Sequence, residues 1–214
     1  KYYGTPEHFK AFVDSCHGRG IAVIIDIVFN HAFGQSPMLH LYWDGANNRP
    51  AANNPWFNAI CPHMPYCWGY DYNHESQATQ NFMDRVNHYW LDEYHVDGFR
   101  FDFTKGFSNN SNNYDNGRIQ LLKRMADTIW SVHPNSYIIL EHWADNNEEK
   151  ILADYGMMLW GNVTHGYQES GMGYISGSNL SFGVYKYRTW SQPHLISYME
   201  SHDEERIMYK NITY

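Results

Sequence analysis

Positive charge is scarce in this sequence: 15 Lys and Arg stand against 23 Asp and Glu in 214 residues, a formal net charge of −8. With no basic stripe to neutralise phosphates, the chain is not built to bind nucleic acid. Cysteine is scarce too. Three residues do not make a disulfide framework. Cys16 falls on the apolar face of a helix and reads as core, while Cys61 and Cys67 share a loop and are close enough to pair if the compartment is oxidising. Long apolar runs are missing: the most apolar stretch, Gly20 to Phe29, contains Asp26 and is about half the ~20 residues that a membrane span needs. The chain opens without an initiating Met or a signal peptide, so it is expected to be mature or a cut-out piece. Hydrophobic residues at 43% with 18% charged exclude a disordered chain, and the length suits one domain.

Aromatic residues are plentiful, at 8 Trp, 18 Tyr and 11 Phe. Rings fill cores, and they also form platforms for flat, partly apolar ligands such as sugars. Helix and strand signals alternate along the chain. Thr5-Pro6 opens a helix in which Phe9, Phe12, Val13 and Cys16 recur at helical spacing. Ile21–Phe29 follows, apolar on both faces, and reads as a buried parallel strand. Helices are expected over about Thr79–Tyr94, Gly117–Val132 and Asn147–Asp154. Strands are expected at Val96–Phe103, Tyr137–Glu141, Met157–Trp160 and Leu195–Ser201. Gly171–Gly183, rich in Gly, Ser and Asn, reads as a mobile loop. The repeated order implies an α/β fold with a parallel sheet. From His31 to Ala78 no clear helix or strand is visible, and the density of aromatics and turn formers there points to a small folded excursion over a site.

A charge in a buried strand is costly unless it is paired, hydrogen-bonded or at the strand end. Nearly every expected strand carries or ends in polar residues: Asp26 and then Asn30-His31; Arg100 and Asp102; Glu141-His142-Trp143; His202-Asp203. In parallel barrels the ligand site is built at the carboxyl ends of the strands, so these groups would converge. Carboxylates without clustered Cys or metal-spaced His favour proton transfer and carbocation stabilisation over zinc chemistry. Glycosidic bond cleavage needs such a pair, one carboxyl holding a proton and the other ionised. Arg100 beside Asp102 would keep that Asp charged, and Glu141, on a more apolar wall next to Trp143, would retain its proton.

Four segments resemble, in order, the sequence regions of the α-amylase family (glycoside hydrolase family 13): Asp26-Ile27-Val28-Phe29-Asn30-His31, Gly98-Phe99-Arg100-Phe101-Asp102, Leu140-Glu141-His142-Trp143 and Ser201-His202-Asp203. Asp71-Tyr72-Asn73 is similar to a shorter motif at the end of the family's loop domain. The resemblance, nearest to bacterial secreted α-amylases, implies a partial (β/α)8 TIM barrel over 1–31 and 79–214, with a short domain B at 32–78. It makes Asp102 the nucleophile, Glu141 the general acid/base and Asp203 the third carboxylate. Arg100 would orient Asp102, His31, His202 and Trp143 would bind the sugar, and Asp26 would support Arg100. The implied activity is retaining hydrolysis of α-1,4-glucosidic bonds in starch-like α-glucans through a covalent glycosyl-enzyme. A branching or glucanotransferase activity of the same family is the alternative, and a non-catalytic glycan-binding fragment another.

Many members of the family hold calcium where domain B meets the barrel. Asn30 and Asp71 match ligand positions, and Gly106 stands where the family commonly has a His that donates its carbonyl, so a structural Ca2+ is expected at Asn30, Asp71 and Gly106. A full barrel takes ~250 residues and eight strands. With five strands read here, the first two strands, the last strand and a C-terminal β domain are expected to lie outside this chain. The polymeric substrate and the Cys61–Cys67 pair point to an extracellular or periplasmic setting.

Overall fold

The computed structural model describes residues 4–214. Helix α1 (Pro6–His17) begins where the Thr5 hydroxyl accepts the His8 N–H, and the His8 ring in turn accepts the Thr5 N–H. Pro at the first helical position adds a preset φ and gives up no needed donor. Strand β1 (Ile24–Ile27) follows, and the chain then leaves the sheet through β2 (His31–Ala32), α2 (Pro37–Leu41), β3 (Trp43–Asp44), β4 (Arg49–Pro50) and β5 (Tyr70–Asp71). β3 pairs antiparallel with β4, and β2 with β5, so that His31 stands opposite Asp71. The segment 32–78 thus departs and returns at one place.

The remainder alternates regularly: α3 (Gln77–Tyr94), β6 (Gly98–Phe101), α4 (Asn116–Val132), β7 (Tyr137–Leu140), α5 (Asn146–Tyr155), β8 (Met158–Asn162), α6 (Thr164–Met172), β9 (Leu195–Tyr198) and α7 (Ile207–Thr213). The sheet order is β1-β6-β7-β8-β9, parallel throughout. Each strand lies beside the previous strand of the sheet, as in an arc of a (β/α)8 barrel. This is an α/β fold, part of such a barrel. Phe99, Phe101, Leu122, Ile129, Leu140, Leu152 and Leu159 are fully buried between sheet and helices. Each such side chain contributes about 1.5–3 kcal/mol on burial. No helix among the described residues is long and apolar enough to cross a membrane.

Two expectations are corrected. Ile21–Phe29 is not buried on both faces. Among the described residues β1 pairs with β6 alone; Ile21 and Val28 are about half exposed and Asp26 is open to solvent. The stretch 171–183 is not simply a mobile loop, because α6 runs into it and two short 3-10 turns, Ile175–Gly177 and Ser181–Gly183, continue it. Its small residues serve close approach: a Cβ at Gly177 would lie 2.4 Å from a Glu169 carboxylate oxygen.

Gly98 opens β6 with φ +158°, and a Cβ there would fall 2.2 Å from the Tyr137 carbonyl oxygen and 2.7 Å from its nitrogen. The obstacle is backbone, which cannot swing aside. Gly98→Ala should therefore lower stability by roughly 3 kcal/mol or more, read as a shifted midpoint in urea denaturation with little change in slope.

Candidate active site

β6 is the central element of the site. Successive side chains of a strand point to opposite faces, so Phe99 and Phe101 enter the core with the helices while Arg100 lies on the other face. Arg100 is buried, at 4% exposure, and a buried guanidinium must find acceptors. It finds three carboxylates. Nη1 donates to Asp26 Oδ1 and to Asp102 Oδ1, both at 2.8 Å, and Nη2 lies 2.5 Å from Glu141 Oε1. The indole of Trp160, from β8, covers its face with 4.1 Å to the ring centre, a cation–π contact strengthened by desolvation.

The strand ends fix the two acids. Asp102 donates its N–H to Ile27 O at 3.0 Å, and Glu141 donates its N–H to Phe101 O at 3.0 Å. Immediately after Asp102 the chain turns left-handed at Phe103, φ 40°. That turn directs the Phe103 N–H at Glu141 Oε2, 3.0 Å away. Trp143, two residues after Glu141, is also left-handed, at φ 49°. Unusual backbone beside functional groups is a common form of preorganisation.

Burial is the largest influence on Glu141 and raises its pKa to about 7; the neighbouring Asp102 carboxylate adds to the rise, while the Phe103 N–H and Arg100 oppose it. One cation shared among three carboxylates does not keep all of them ionised. The His31 imidazole is lowered by burial, with Asp102 pulling the other way, which places His31 at the same site. Its ring stands edge-on to Phe33 and near Trp68.

Asp203 and His202 are not drawn into this cluster. Both are about half exposed and face each other at 3.5 Å. They lie on the same side of the sheet, however: the Tyr198 hydroxyl is pushed up by burial and also by Glu204, Glu141 and Asp203. Trp143 lines a cleft of about 380 Å³ with His63, Tyr66, Trp68, Phe103 and Lys105. The walls come from the excursion on one side and from the loops after β6 and β7 on the other.

A second buried layer holds the acid-bearing loops. Thr104 Oγ1 donates to Glu141 O at 3.0 Å and meets His142 Nδ1 at 2.9 Å, and His142 Nε2 meets Glu148 Oε1 at 2.9 Å. Arg118 grips the same Glu148 through Nε at 2.7 Å and Nη2 at 2.9 Å, both side chains being wholly buried. His142 lies inside the segment Leu140–Trp143, but Thr104, Arg118, Glu148 and Trp160 carry no motif signal for such roles. Apart from the His142–Glu148 contact their partners are 30 or more residues away, and the one available clue was the adjacent acids opening α5.

Asn30, Asp71 and Gly106 come together at the foot of the excursion. Asp71 is buried, and burial raises its carboxyl to about 7 although Asn58 Nδ2 donates to Oδ2 at 2.7 Å. Asn30 Oδ1 is buried without a donor, and it presses on Gly106, where a Cβ would lie 1.8 Å from it. Calcium takes six to eight oxygens. Here the side-chain oxygens are few, and His63 is inserted among them, with Nε2 3.8 Å from Asp71 Oδ1 and the Gly106 and Ser108 backbone beside its ring. An imidazole is a poor ligand for a hard cation. Among the described residues no cluster of three or more His, Cys, Asp or Glu is placed to hold a metal. His63 Nε2, like Asn30 Oδ1, is buried without a hydrogen-bond partner.

These features define a barrel-type domain with acids from neighbouring strands gathered at the carboxyl end of a parallel sheet. The family model described as the α-amylase catalytic domain matches residues 1–72. Over that stretch the chain is similar to the α-amylase catalytic domain. It is 28% identical over 209 residues to the 1,4-alpha-glucan branching enzyme GlgB of Bacillus caldolyticus, covering 95% of this chain and 27% of that one. The GlgB of Aliivibrio fischeri is 31% identical over 156 residues, covering 65% and 21%. The chain therefore spans about a quarter of the length of these curated relatives. Among solved structures, the fold is shared with the cyclic alpha-maltosyl-(1→6)-maltose hydrolase from Arthrobacter globiformis (TM-score 0.73, 18% identity, 98% of this chain and 48% of that one). It is likewise shared with the alpha-amylase from Geobacillus thermoleovorans (TM-score 0.70, 20% identity, 99% and 48%).

The buried layer makes a direct prediction. Arg118→Met removes the cation paired with Glu148 and leaves that buried carboxylate with only the His142 ring and the Asp115 N–H as partners, and should cost about 3–5 kcal/mol. Replacing both partners by apolar residues should cost clearly less. Urea denaturation of the single and double variants measures the difference.

Proposed function

We propose that this chain is the acid-bearing part of an α-glucan-active enzyme that works by double displacement with retention of configuration. The observation that carries the proposal is the single guanidinium of Arg100 joining Asp102 to Glu141. It holds two carboxyls of different protonation tendency within reach of one anomeric carbon. Asp102 attacks that carbon and forms a glycosyl ester as Glu141 passes its proton to the departing glycosidic oxygen. Ester formation removes the Asp102 charge that helps to keep Glu141 protonated, so Glu141 becomes the base for the second step. It then takes a proton from the incoming hydroxyl, which displaces Asp102 and restores the starting state.

His31 would hydrogen-bond the sugar bound at Asp102. Asp203 and His202, about half exposed after β9, would hydrogen-bond the sugar hydroxyls. The aromatic cleft at Trp68, Phe103 and Trp143 lies beside Glu141 and would bind the leaving sugar and the incoming acceptor. We read 32–78 as a short domain B whose wall supplies half of that cleft. The Cys61–Cys67 bond supports an extracellular or periplasmic setting.

Water as the acceptor makes the enzyme an α-amylase-type hydrolase acting on starch-like α-glucans. A sugar hydroxyl makes it a transglycosylase, a reading favoured by the branching enzymes among the curated relatives. Incubation with amylose and maltooligosaccharides separates the two. Shorter products of α configuration indicate hydrolysis; new branch points at constant reducing-end count indicate transfer. Products with inverted configuration would remove Asp102 from its role.

Glu141→Gln should slow turnover of natural glucans by about 10²–10⁴-fold while sparing much of the first step on aryl glycosides with good leaving groups. Steady-state kinetics on both substrates tests this, and equal losses would contradict an acid role. The pH profile has a defined sign. The acid form of Glu141 starts the reaction, so kcat/KM should fall as pH rises through about 7, and that limb should disappear in Glu141→Gln.

A further inference from the structure

A second cleft, of about 440 Å³, opens at the carboxyl end of β8, beside the first turns of α6 and the short turn Ser181–Gly183. It shares no residue with the cleft at Trp143. Glu204 lines it, and Glu204 is the residue after Asp203. The size falls within the range of small-ligand sites, roughly 300–1,000 Å³.

One wall is an aromatic ring held in place from behind. Phe182 is 49% exposed, yet the Arg188 guanidinium lies against its ring at 4.1 Å and is backed in turn by Trp190 at 4.2 Å. Arg188 is buried, paired with Glu149, and donates from Nε to Asn146 Oδ1 at 3.0 Å. Since Arg188 does not line the cleft, it covers the rear of the ring and leaves the other face to the cleft. The rest of the lining carries hydrogen-bonding groups. Asn162 Nδ2 donates to Glu204 Oε1 at 2.5 Å and the Ser201 hydroxyl donates to Oε2, which orients the carboxylate and leaves lone pairs on both oxygens. Asn179 Oδ1 accepts the Ser181 N–H at 2.9 Å. Its amide nitrogen and the exposed His165 ring have no hydrogen-bond partner among the described residues. Thr164 lines the same cleft at 3% exposure, and its hydroxyl is unpartnered too. A fixed flat ring with donors and acceptors around it suits a pyranose, whose C–H face packs on the ring while its hydroxyls meet the rim.

We propose that this cleft is a second glucosyl-binding site, in which one sugar of an α-glucan chain lies on Phe182 and its hydroxyls meet Glu204, Asn179 and His165. The proposal rests on the α-glucan reading above and adds to it a hold on the chain away from Asp102 and Glu141. Because Glu204 adjoins Asp203, a sugar held here lies next to the strand end that carries the third carboxylate. Its contribution is to the retention of long chains rather than to the bond-breaking step.

The test uses purified Glu141→Gln protein, which spares the probe from turnover, with maltoheptaose as that probe. Backbone hydrogen exchange is followed by mass spectrometry across a titration, so that each segment reports its own apparent Kd. Segments 162–168 and 178–183 should exchange more slowly as maltoheptaose is added. Phe182→Ala and, separately, His165→Ala should raise the Kd read at those segments about 3–10-fold. The Kd read at 141–145, beside the Trp143 cleft, should stay as it was. His165 is exposed, so its replacement keeps the test decisive if Phe182→Ala fails to fold. Protection confined to 141–145 would overturn the second site and leave the α-glucan reading standing, whereas protection nowhere would remove both. Protection at 162–168 that neither variant weakens would also overturn the assignment.

Discussion

Burying Arg100 is the constraint around which the site is organised. A guanidinium cannot give up its charge, so taking it out of water obliges the fold to bring acceptors to it. Those acceptors come from three strands: Asp26 from β1, Asp102 beyond β6 and Glu141 beyond β7. One positive charge does not balance three negative ones in a site of reduced polarity. The excess falls on the most buried carboxyl, Glu141, which accordingly tends to keep a proton. Position and protonation are thus set by the same interaction. Trp160 completes the enclosure from β8, so four of the five sheet strands act on one side chain.

Behind this layer lies another of the same kind. Glu148 and Glu149 open α5 as adjacent buried acids, an arrangement that is unfavourable unless each meets its own cation. Glu148 meets Arg118 from α4, and Glu149 meets Arg188 from the segment before β9. The paired acids therefore tie α5 to its neighbours in opposite directions. Through His142 and Thr104, Glu148 also reaches the backbone at Glu141. The loop that carries Glu141 is held from below by charge and from above by Arg100.

Much of the barrel arc was legible because its signals are local. Thr5-Pro6 declares a helix start by its own chemistry, and the helices ending at Tyr94 and Val132 follow from apolar spacing. Features that depend on neighbours in space were not. The Ile and Val residues of β1 look like a strand buried on both faces, yet among the described residues they lie at the end of the strand order, which no local pattern records. The glycines of 171–183 read as flexibility and instead permit contact. At the site, Arg100, Asp102 and Glu141 stood out because charge at a strand end is costly. Trp160 and Arg118 did not, since an aromatic or an Arg in an α/β chain is ordinary until its partner is known. The calcium expectation rested on residue types at matching positions; the fold brings Asn30, Asp71 and Gly106 together and sets the buried His63, outside every motif, beside them.

The pairing of β2 with β5 has a wider consequence. Because His31 faces Asp71 across a single antiparallel contact, the whole span between them begins and ends at one anchored point. The closure cost of such a span rises only slowly with its length. Residues can be added to or removed from its tip without changing where the chain re-enters α3 or how the acid-bearing strands align. The molecule thereby separates an adjustable outer wall from an invariant floor, and reshaping of the groove can proceed in the former while the latter stays untouched.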